Sequence, residues 1–342
     1  MLARIKIEKN CTKLMIIVMI ILFSHADIPA QNVWVREHEP ARNLVTEERL
    51  AEDVAFLSDS LCQGRASGTV GNAGAAFWIH RQFAQCGLLR FSDTYAKRVY
   101  LGDGKAGHNI IGMLPGSNRK HCDSYIIVGA HYDHLGILDG KMYPGADSNA
   151  SGVVAMISLA RMISHMQKDG RTYGSNIIFV AFDAKEHSMA GSKAIWRLIE
   201  NGSLKDPVSG KRISPDKIRF MVNIDQIGSS LVPVREHRKD YIIMLGNSSL
   251  DESQREVIES CNRFYSVNLD ISHSYYGSEN FTKVFYRLSD QRVFIDNGIP
   301  SVFFTSGITM NTNKTYDKAS SLDYRTFKKR IYLMYHWIDK MI

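Results

Sequence analysis

Cysteine is scarce in this sequence, and no two cysteines form a Cys-x-x-Cys pair. The chain has five cysteines among its 342 residues, which are Cys11, Cys62, Cys86, Cys122 and Cys261. Because thiolate zinc sites are built from closely spaced cysteines, this distribution argues against that class of metal site. A disulfide framework is not expected either, since a chain of this length can bury a sizeable core without one.

Several other functional signals are also missing. The sequence has no glycine-rich phosphate loop, no evident Ser–His–Asp or Cys–His arrangement, no internal repeat and no long linker. Its formal net charge is only +7, and residues 1–26 hold four basic residues and one acidic residue, so the remainder carries +4. A mildly basic chain of this kind does not indicate a nucleic-acid partner, and we expect none.

Long apolar runs are absent apart from one near the start of the chain. This run extends from Leu14 to Phe23, and Ser24-His-Ala26 offers small residues for cleavage directly after it. The basic residues that precede the run are Arg4, Lys6, Lys9 and Lys13. The three-part pattern is typical of a secretory signal, and the run has about half of the roughly 20 residues that a spanning helix needs. We therefore expect an exported protein, periplasmic or secreted, without a permanent membrane anchor.

The rest of the chain alternates between two kinds of apolar pattern. Short runs rich in β-branched residues predict buried strands, and they occupy residues 125–130, 175–182, 218–224, 241–245 and 300–305. Helical patterns occupy residues 47–60, 72–87, 150–166, 189–200, 252–264 and 323–340. This alternation predicts an α/β fold with three layers, a mostly parallel central sheet covered by helices on both faces. The predicted organisation is a signal peptide at 1–26, an irregular arm at 27–44 and one domain at 45–342.

Polar residues follow three of the predicted strands at the point where each strand ends. His131 follows the first of these strands, Lys185 and Glu186 follow the second, and Asp225 ends the third. Asp147 and Ser148 belong to a loop that opens the helix after the first strand. Ligands of open α/β sheets collect beyond the carboxyl ends of the strands, so we expect these segments to meet at one rim.

The same segments resemble metallopeptidase family twenty-eight, which includes dizinc aminopeptidases and has glutaminyl cyclases among its relatives. The resemblance covers nearly all of the chain after the leader. The segments that carry it are Gly129-Ala-His-Tyr-Asp-His-Leu-Gly136, Gly145-Ala-Asp-Ser-Asn-Ala-Ser-Gly152, Phe182-Asp-Ala-Lys-Glu-His187, Asn223-Ile-Asp-Gln-Ile-Gly228 and Asn313-Lys-Thr-Tyr-Asp317. It implies a zinc-exopeptidase-like fold, zinc as the cofactor and removal of N-terminal residues from peptides.

The family pattern also implies which positions would hold the metals. Three ligand positions are retained, namely His131, Glu186 and Asp225, and Asp133 and Asp147 fall on positions that would support the ligands. Three other positions are changed: Ser148 stands where the family has a bridging aspartate, Lys185 where it has the general-base glutamate, and Asn313 where it has a histidine ligand. Serine is a poor uncharged ligand, and a cationic lysine cannot accept the proton. The resemblance therefore implies an impaired or inactive aminopeptidase whose cleft receives a peptide or protein N-terminus.

Other interpretations of these residues remain open at this point. His131 could be an ordinary loop histidine, and Asp133 and Asp147 could be hydrogen-bonded loop and cap residues. Lys185 could pair with the retained carboxylates in place of a metal ion. An active exopeptidase with a rearranged single-metal site would instead use His187 beside the three retained ligands, although it would lack an obvious base.

Overall fold

The computed structural model describes residues 37–102, 104–117 and 122–342. The predicted signal peptide at 1–26 lies outside these residues, as does most of the predicted arm. Residues 37–42 are helical, so the described end of the arm is not the irregular segment that the sequence predicts. Residues 41–342 form one compact unit, and the fold described below is that of this unit.

Helices and strands alternate through most of the unit. The helices are α1 (Glu47–Leu57), α2 (Val70–Cys86), α3 (Gly152–Lys168), α4 (Ala190–Glu200), α5 (Glu252–Arg255), α6 (Val257–Phe264), α7 (Glu279–Phe285), α8 (Gln291–Asp296) and α9 (Tyr324–Met341). The strands are β1 (Leu89–Arg90), β2 (Ala96–Gly102), β3 (Lys105–Leu114), β4 (Tyr125–His131), β5 (Gly136–Leu138), β6 (Lys141–Tyr143), β7 (Asn176–Phe182), β8 (Ile218–Ile224), β9 (Tyr241–Leu245), β10 (Asp270–Ser272) and β11 (Ser301–Thr305).

The main sheet has nine strands in the order β1-β3-β7-β4-β8-β11-β9-β10, with β2 also paired to β3. Its middle is parallel, because β4 runs parallel to both β7 and β8, and β8 runs parallel to β11. The pairings of β3 and that between β9 and β11 are antiparallel. The predicted α/β fold is confirmed, and the sheet is mixed. The antiparallel hairpin of β2 and β3 is the main part that the apolar runs do not indicate.

Both faces of the sheet are covered, as the apolar strands predict. On one face, Ile195 and Trp196 of α4 and Phe294 of α8 pack with Met221 of β8 in a buried cluster. On the other face, the ring of Trp337 in α9 lies 5.7 Å from that of Phe220. Phe220 and Met221 are neighbours in β8, and successive strand side chains point to opposite faces. The strands are therefore buried from both sides, which accounts for their nearly continuous apolar composition.

Cys62, Cys86 and Cys261 are buried and carry free thiols. Among the residues that the structure describes, none of the helices has the length and apolar character required to cross a bilayer.

Candidate functional site

The polar strand-end residues meet at one edge of the sheet. The parallel register aligns His131 of β4 with Phe182 of β7, and Gly129 of β4 with Asn223 of β8. The chain segments that follow β7 and β8 therefore emerge beside the end of β4. Lys185 and Asp225 follow these strands directly, so the sequence-predicted convergence occurs where α/β sheets collect their ligands.

His131 and Asp225 form a buried ion pair at the centre of this edge. The Nε2 atom of His131 lies 3.4 Å from Oδ2 of Asp225, and Nδ1 lies 3.1 Å from the backbone oxygen of Asp133. Burial, the largest single influence, lowers the pKa of His131, but the Asp225 charge and the hydrogen bonds to Asp133 and Asp225 together outweigh it and raise this pKa to about 10. Burial would likewise raise the pKa of Asp225, yet the charges of His131 and Lys185 hold it well below its usual value. The imidazole is therefore a cation at neutral pH.

Asp133 connects the first strand end to the second. Its Oδ1 accepts a hydrogen bond from the Lys185 backbone N–H, and its Oδ2 accepts one from the Glu186 N–H, both at 3.0 Å. Its Oδ1 also lies 3.6 Å from Nδ1 of His131. The carboxylate thus fixes the backbone that carries Lys185 and Glu186, in addition to facing the imidazole as the resemblance implies.

Lys185 is held as an ammonium among carboxylates. Its Nζ donates a hydrogen bond of 3.1 Å to Oε1 of Glu186. Burial would lower the pKa of Lys185, but the charges of Asp225 and Glu186 outweigh burial and hold the pKa above its usual value. The residue at the family's general-base position is therefore protonated and cannot accept a proton from water.

The loop at Gly145–Ser151 places Ser148 over the same edge. The two oxygens of Asp317 accept hydrogen bonds from the backbone N–H groups of Asp147 and Ser148, at 2.8 and 3.1 Å. Gly145 begins the loop with φ +58, and a Cβ atom there would lie 2.4 Å from the Ser148 oxygen. A glycine is thus required at this position both by the backbone conformation and by the close approach.

Asn149 and Arg65 fix this loop to the strands from behind. Asn149 Nδ2 donates to the backbone oxygens of His131 and Ile224, and its Oδ1 accepts from the N–H groups of Gly152 and Gln226. Arg65 is fully buried, and its guanidinium donates to four backbone oxygens, those of Leu57, Tyr132, Pro144 and Gly145. Burial lowers the pKa of Arg65 to about 10, so the guanidinium stays charged.

Asp147 is a hydrogen-bonded loop residue. Its Oδ1 accepts hydrogen bonds from the N–H groups of Gly228 and Ser229 and from the Ser151 hydroxyl. Burial, with the nearby charge of Asp317, raises the pKa of Asp147 to about 7. Lys185 hydrogen-bonds to Glu186 and so makes the pairing with a retained carboxylate that the sequence left open.

A cavity of about 200 Å³ opens in front of these residues. Ser148, Lys185, Asp225 and Asn313 lie together in its lining, so three positions at which the resemblance implies a substitution and one at which it implies retention face the same space. The other lining residues are Gln226, Tyr275, Phe285, Leu288, Ser289, Phe303, Thr305, Ile308 and Thr312. Glu186 and His187 directly follow Lys185 in the chain, but they are exposed and do not line this cavity.

These residues do not fit the dizinc centre that the resemblance implies. Where a cation would be held, Lys185 supplies an ammonium that hydrogen-bonds to Glu186. Ser148 stands where the resemblance implies a bridging carboxylate, and a serine hydroxyl supplies no charge between two cations. Within the part of the chain that the structure describes, no three His, Cys, Asp or Glu side chains are grouped to hold a metal ion. The exposed His187 does not complete a single-metal site there.

A serine–lysine hydrolase dyad is also unsupported, although Ser148 and Lys185 share the cavity. Such a dyad needs a neutral lysine that accepts the serine proton. The pKa of Lys185 is instead held above its usual value, and its Nζ bonds to Glu186.

Sequence reasoning missed the roles of three buried charged residues. Arg65 and Asp317 hold the backbone of the site, as described above, and Asp290 lies buried just before α8. Burial raises the pKa of Asp290 to about 6, with the positive charge of His131 opposing the shift. Asp317 occurs in a segment that carries the family resemblance, but a charged residue inside a motif does not by itself reveal whether it faces the cavity or the backbone.

Comparison with known proteins indicates the same family that the motif segments of the sequence resemble. The profile of peptidase family M28 matches residues 109–338. Aminopeptidase YwaD of Bacillus subtilis is 31% identical over 126 residues, which cover 37% of this chain and 23% of that protein. BOS complex subunit ncln of Danio rerio is 32% identical over 120 residues, covering 35% of this chain and 20% of that protein. The matches thus span about a quarter or less of the length of these two relatives.

A solved structure supports the fold over a longer stretch. LapB from Legionella pneumophila superimposes with a TM-score of 0.67 and 17% sequence identity, covering 90% of this chain and 74% of that chain. At this identity the likeness concerns the fold alone.

Proposed function

The chain belongs to peptidase family M28, and from this premise we propose that it is a binding member of the family that has lost metal-dependent hydrolysis. The cavity retains an aminopeptidase-like position at the strand ends, and its ligand carries a free α-amino group, as an amino acid or the N-terminal residue of a peptide or protein does. The observation that carries the proposal is the Lys185 ammonium, which bonds to Glu186 and faces the cavity with Asp225.

Loss of hydrolysis follows from the groups that the family mechanism needs. A dizinc peptidase requires a carboxylate between the metals and a free carboxylate that takes the proton of the attacking water. Ser148 supplies no charge between two cations, and Lys185 is already protonated. Zinc, when bound in this family, supplies an acidified water, and none of the described side chains at the cavity replaces that function.

A binding role is consistent with the range of similar proteins. The matches include an enzyme, aminopeptidase YwaD, and a protein named as a subunit of the BOS complex. Family resemblance therefore supports either use of the fold, and the residues of the cavity favour binding. The predicted secretory signal adds that the protein acts outside the cytoplasm, which N-terminal sequencing of the protein recovered from cell fractions would test.

The first experiment measures zinc by elemental analysis, with Asp225→Ala as the background variant. We expect no zinc above that background in the wild-type protein, and no chelator-sensitive cleavage of aminoacyl substrates. About one zinc or more per chain, lost in Asp225→Ala, would overturn the proposal. The triple variant Ser148→Asp, Lys185→Glu, Asn313→His is the matched gain-of-metal control. Zinc in the triple variant alone would identify these three positions as the cause of the loss.

A further inference from the structure

The cavity has an unusual charge pattern for a site that once held metal ions. Among the described residues of its lining, the charged side chains are Lys185 and Asp225, and the others are neutral. One cation and one anion therefore face the same small space. A ligand that complements both must carry an ammonium and a carboxylate close together.

Both charged groups have bonding capacity left for a ligand. The Lys185 ammonium has three N–H donors, and one of them bonds to Glu186. The Asp225 carboxylate has about four acceptor positions on its two oxygens, and Oδ2 faces His131. The Lys185 and Asp225 side chains are 21% and 10% exposed, so each can be reached from the cavity.

The remaining walls are suited to an apolar side chain. Tyr275 and Phe285 stack with their ring centroids 3.7 Å apart, and Leu288, Phe303 and Ile308 lie in the same lining. The volume of about 200 Å³ is smaller than the roughly 300 to 1,000 Å³ of pockets that hold drug-sized ligands. A single amino-acid residue is an appropriate occupant, whereas a folded or extended peptide would have to leave the cavity after its first residue.

We propose that the cavity binds a free α-amino acid with an apolar side chain, with the ligand ammonium at Asp225, the ligand carboxylate at Lys185 and the side chain against the aromatic wall. This inference rests on the proposed function and narrows its ligand. In a peptide the first residue has a neutral amide carbonyl in place of the carboxylate, so Lys185 would meet a weaker acceptor. Charge-assisted hydrogen bonds are roughly twice as strong as neutral ones, which gives the free amino acid the advantage.

The test is isothermal titration of the purified protein with four probes that differ in their charges. L-Leucine has both charges, L-leucinamide lacks the carboxylate, N-acetyl-L-leucine lacks the ammonium, and the tripeptide Leu-Gly-Gly has a distant carboxylate. We expect L-leucine to bind at least about tenfold more tightly than each of the other three, and more tightly than L-aspartate. Equal or tighter binding of L-leucinamide or of the tripeptide would overturn the inference, as would no detectable binding of L-leucine.

Two variants test the assigned contacts separately. Lys185→Met should reduce L-leucine affinity about tenfold or more while leaving that of L-leucinamide unchanged, and Lys283→Met, at an exposed lysine of α7, should change neither. Leu288→Trp fills the cavity from its half-exposed edge and should abolish binding without altering Lys185, with the exposed Phe281→Trp as its control. Retention of L-leucine affinity in Leu288→Trp would contradict the assignment even if Lys185→Met failed to fold.

The zinc measurement on the same sample separates this inference from the proposed function. Stoichiometric zinc would contradict the proposed function directly. A zinc-free protein that binds the tripeptide but not L-leucine would support the proposed function and overturn only the inference that the ligand is a free amino acid. A zinc-free protein that prefers L-leucine would support both.

Discussion

The residues on the two sides of the loop at Gly145–Ser151 differ in what their side chains contact. Behind the loop, Arg65, Asn149 and Asp317 bond almost entirely to backbone atoms of neighbouring segments. In front of it, Lys185 and Asp225 interact with other charged side chains and face the cavity. We call the first group the framework and the second the cavity charges.

This difference explains how the fold can persist while the chemistry changes. Framework bonds end on peptide groups, which are present whatever side chain a residue carries. Cavity charges depend on one another, because removing one leaves its partner buried with a changed electrostatic environment. All three positions at which the resemblance implies a substitution line the cavity, namely Ser148, Lys185 and Asn313.

The largest effect is expected for a framework substitution. Arg65→Met should lower the free energy of unfolding by more than about 3 kcal/mol, because it leaves several buried carbonyl oxygens without donors. Denaturant unfolding would measure the loss, with Arg81→Met on the exposed surface of α2 as the control. A loss of under about 1 kcal/mol would contradict the distinction between the framework and the cavity charges.

A pH-dependent effect should come from the buried acid next to the cavity charges. The pKa of Asp290 is raised to about 6 in the folded protein, so the folded state binds its proton more tightly than the unfolded chain. The stabilisation that protonated Asp290 contributes is complete below the pKa of this residue in the unfolded chain, near 4. It is lost as the pH rises through about 6. Wild-type stability relative to Asp290→Asn should therefore fall by up to about 3 kcal/mol between pH 4 and 7.5.

Chemical denaturation of both proteins across this pH range would measure that difference. The difference in stability between the wild type and Arg81→Met, which changes an exposed residue of α2, should stay constant over the same range. A constant difference between Asp290→Asn and the wild type would show that Asp290 is not held protonated by burial.

A smaller loss of stability is expected for the cavity lysine itself. Lys185→Met should lower the free energy of unfolding by about 1 to 2 kcal/mol, because Asp225 keeps its contact with His131 and Glu186 is partly in solvent. Lys185→Glu should cost more, since it adds a negative charge beside two carboxylates. Thermal and denaturant unfolding would rank the two variants, and a smaller cost for Lys185→Glu would contradict the pairing.

The smallest loss of stability is expected for an exposed lysine–glutamate pair. It has the same residue types as the pair of Lys185 and Glu186 but is more exposed. Lys283→Met removes the pair with Glu279 on α7, whose side chains are 69% and 81% exposed. Exposed pairs of this kind contribute about 0 to 1 kcal/mol, so unfolding should be nearly unchanged. If Lys283→Met and Lys185→Met cost the same, burial would not be what distinguishes the cavity charges.

Much of the fold could be predicted from the chain because its strands are buried on both faces. The predicted segments at 218–224 and 241–245 coincide with β8 and β9, and the others differ from the observed strands by a residue at an end. The β2–β3 hairpin was not indicated, because Ala96–Gly102 is a mixed edge segment with several exposed residues. The predicted helix at 252–264 is divided at Glu256 into α5 and α6.

The sequence predicted which residues form the candidate site better than it predicted the contacts of their side chains. Strand-end position and family resemblance bring together His131, Ser148, Lys185, Asp225 and Asn313, and the structure places them around one edge. The roles given to these residues remain predictions until metal content and binding are measured. The difference between Asp147, which caps backbone N–H groups, and Asp225, which faces the cavity, depends on side-chain direction and could not be inferred from spacing.

The sequence alone thus determined the α/β fold and the family, because apolar periodicity and motif order are local properties of the chain. Only the tertiary structure decided which charges face each other. Lys185 and Glu186 are neighbours along the chain, but Asp225 and His131 come from other strands, and their protonation depends on burial and on distances of a few ångströms. Electrostatic interactions across separate segments are therefore what turned a set of motif positions into a cavity with one ammonium and one carboxylate.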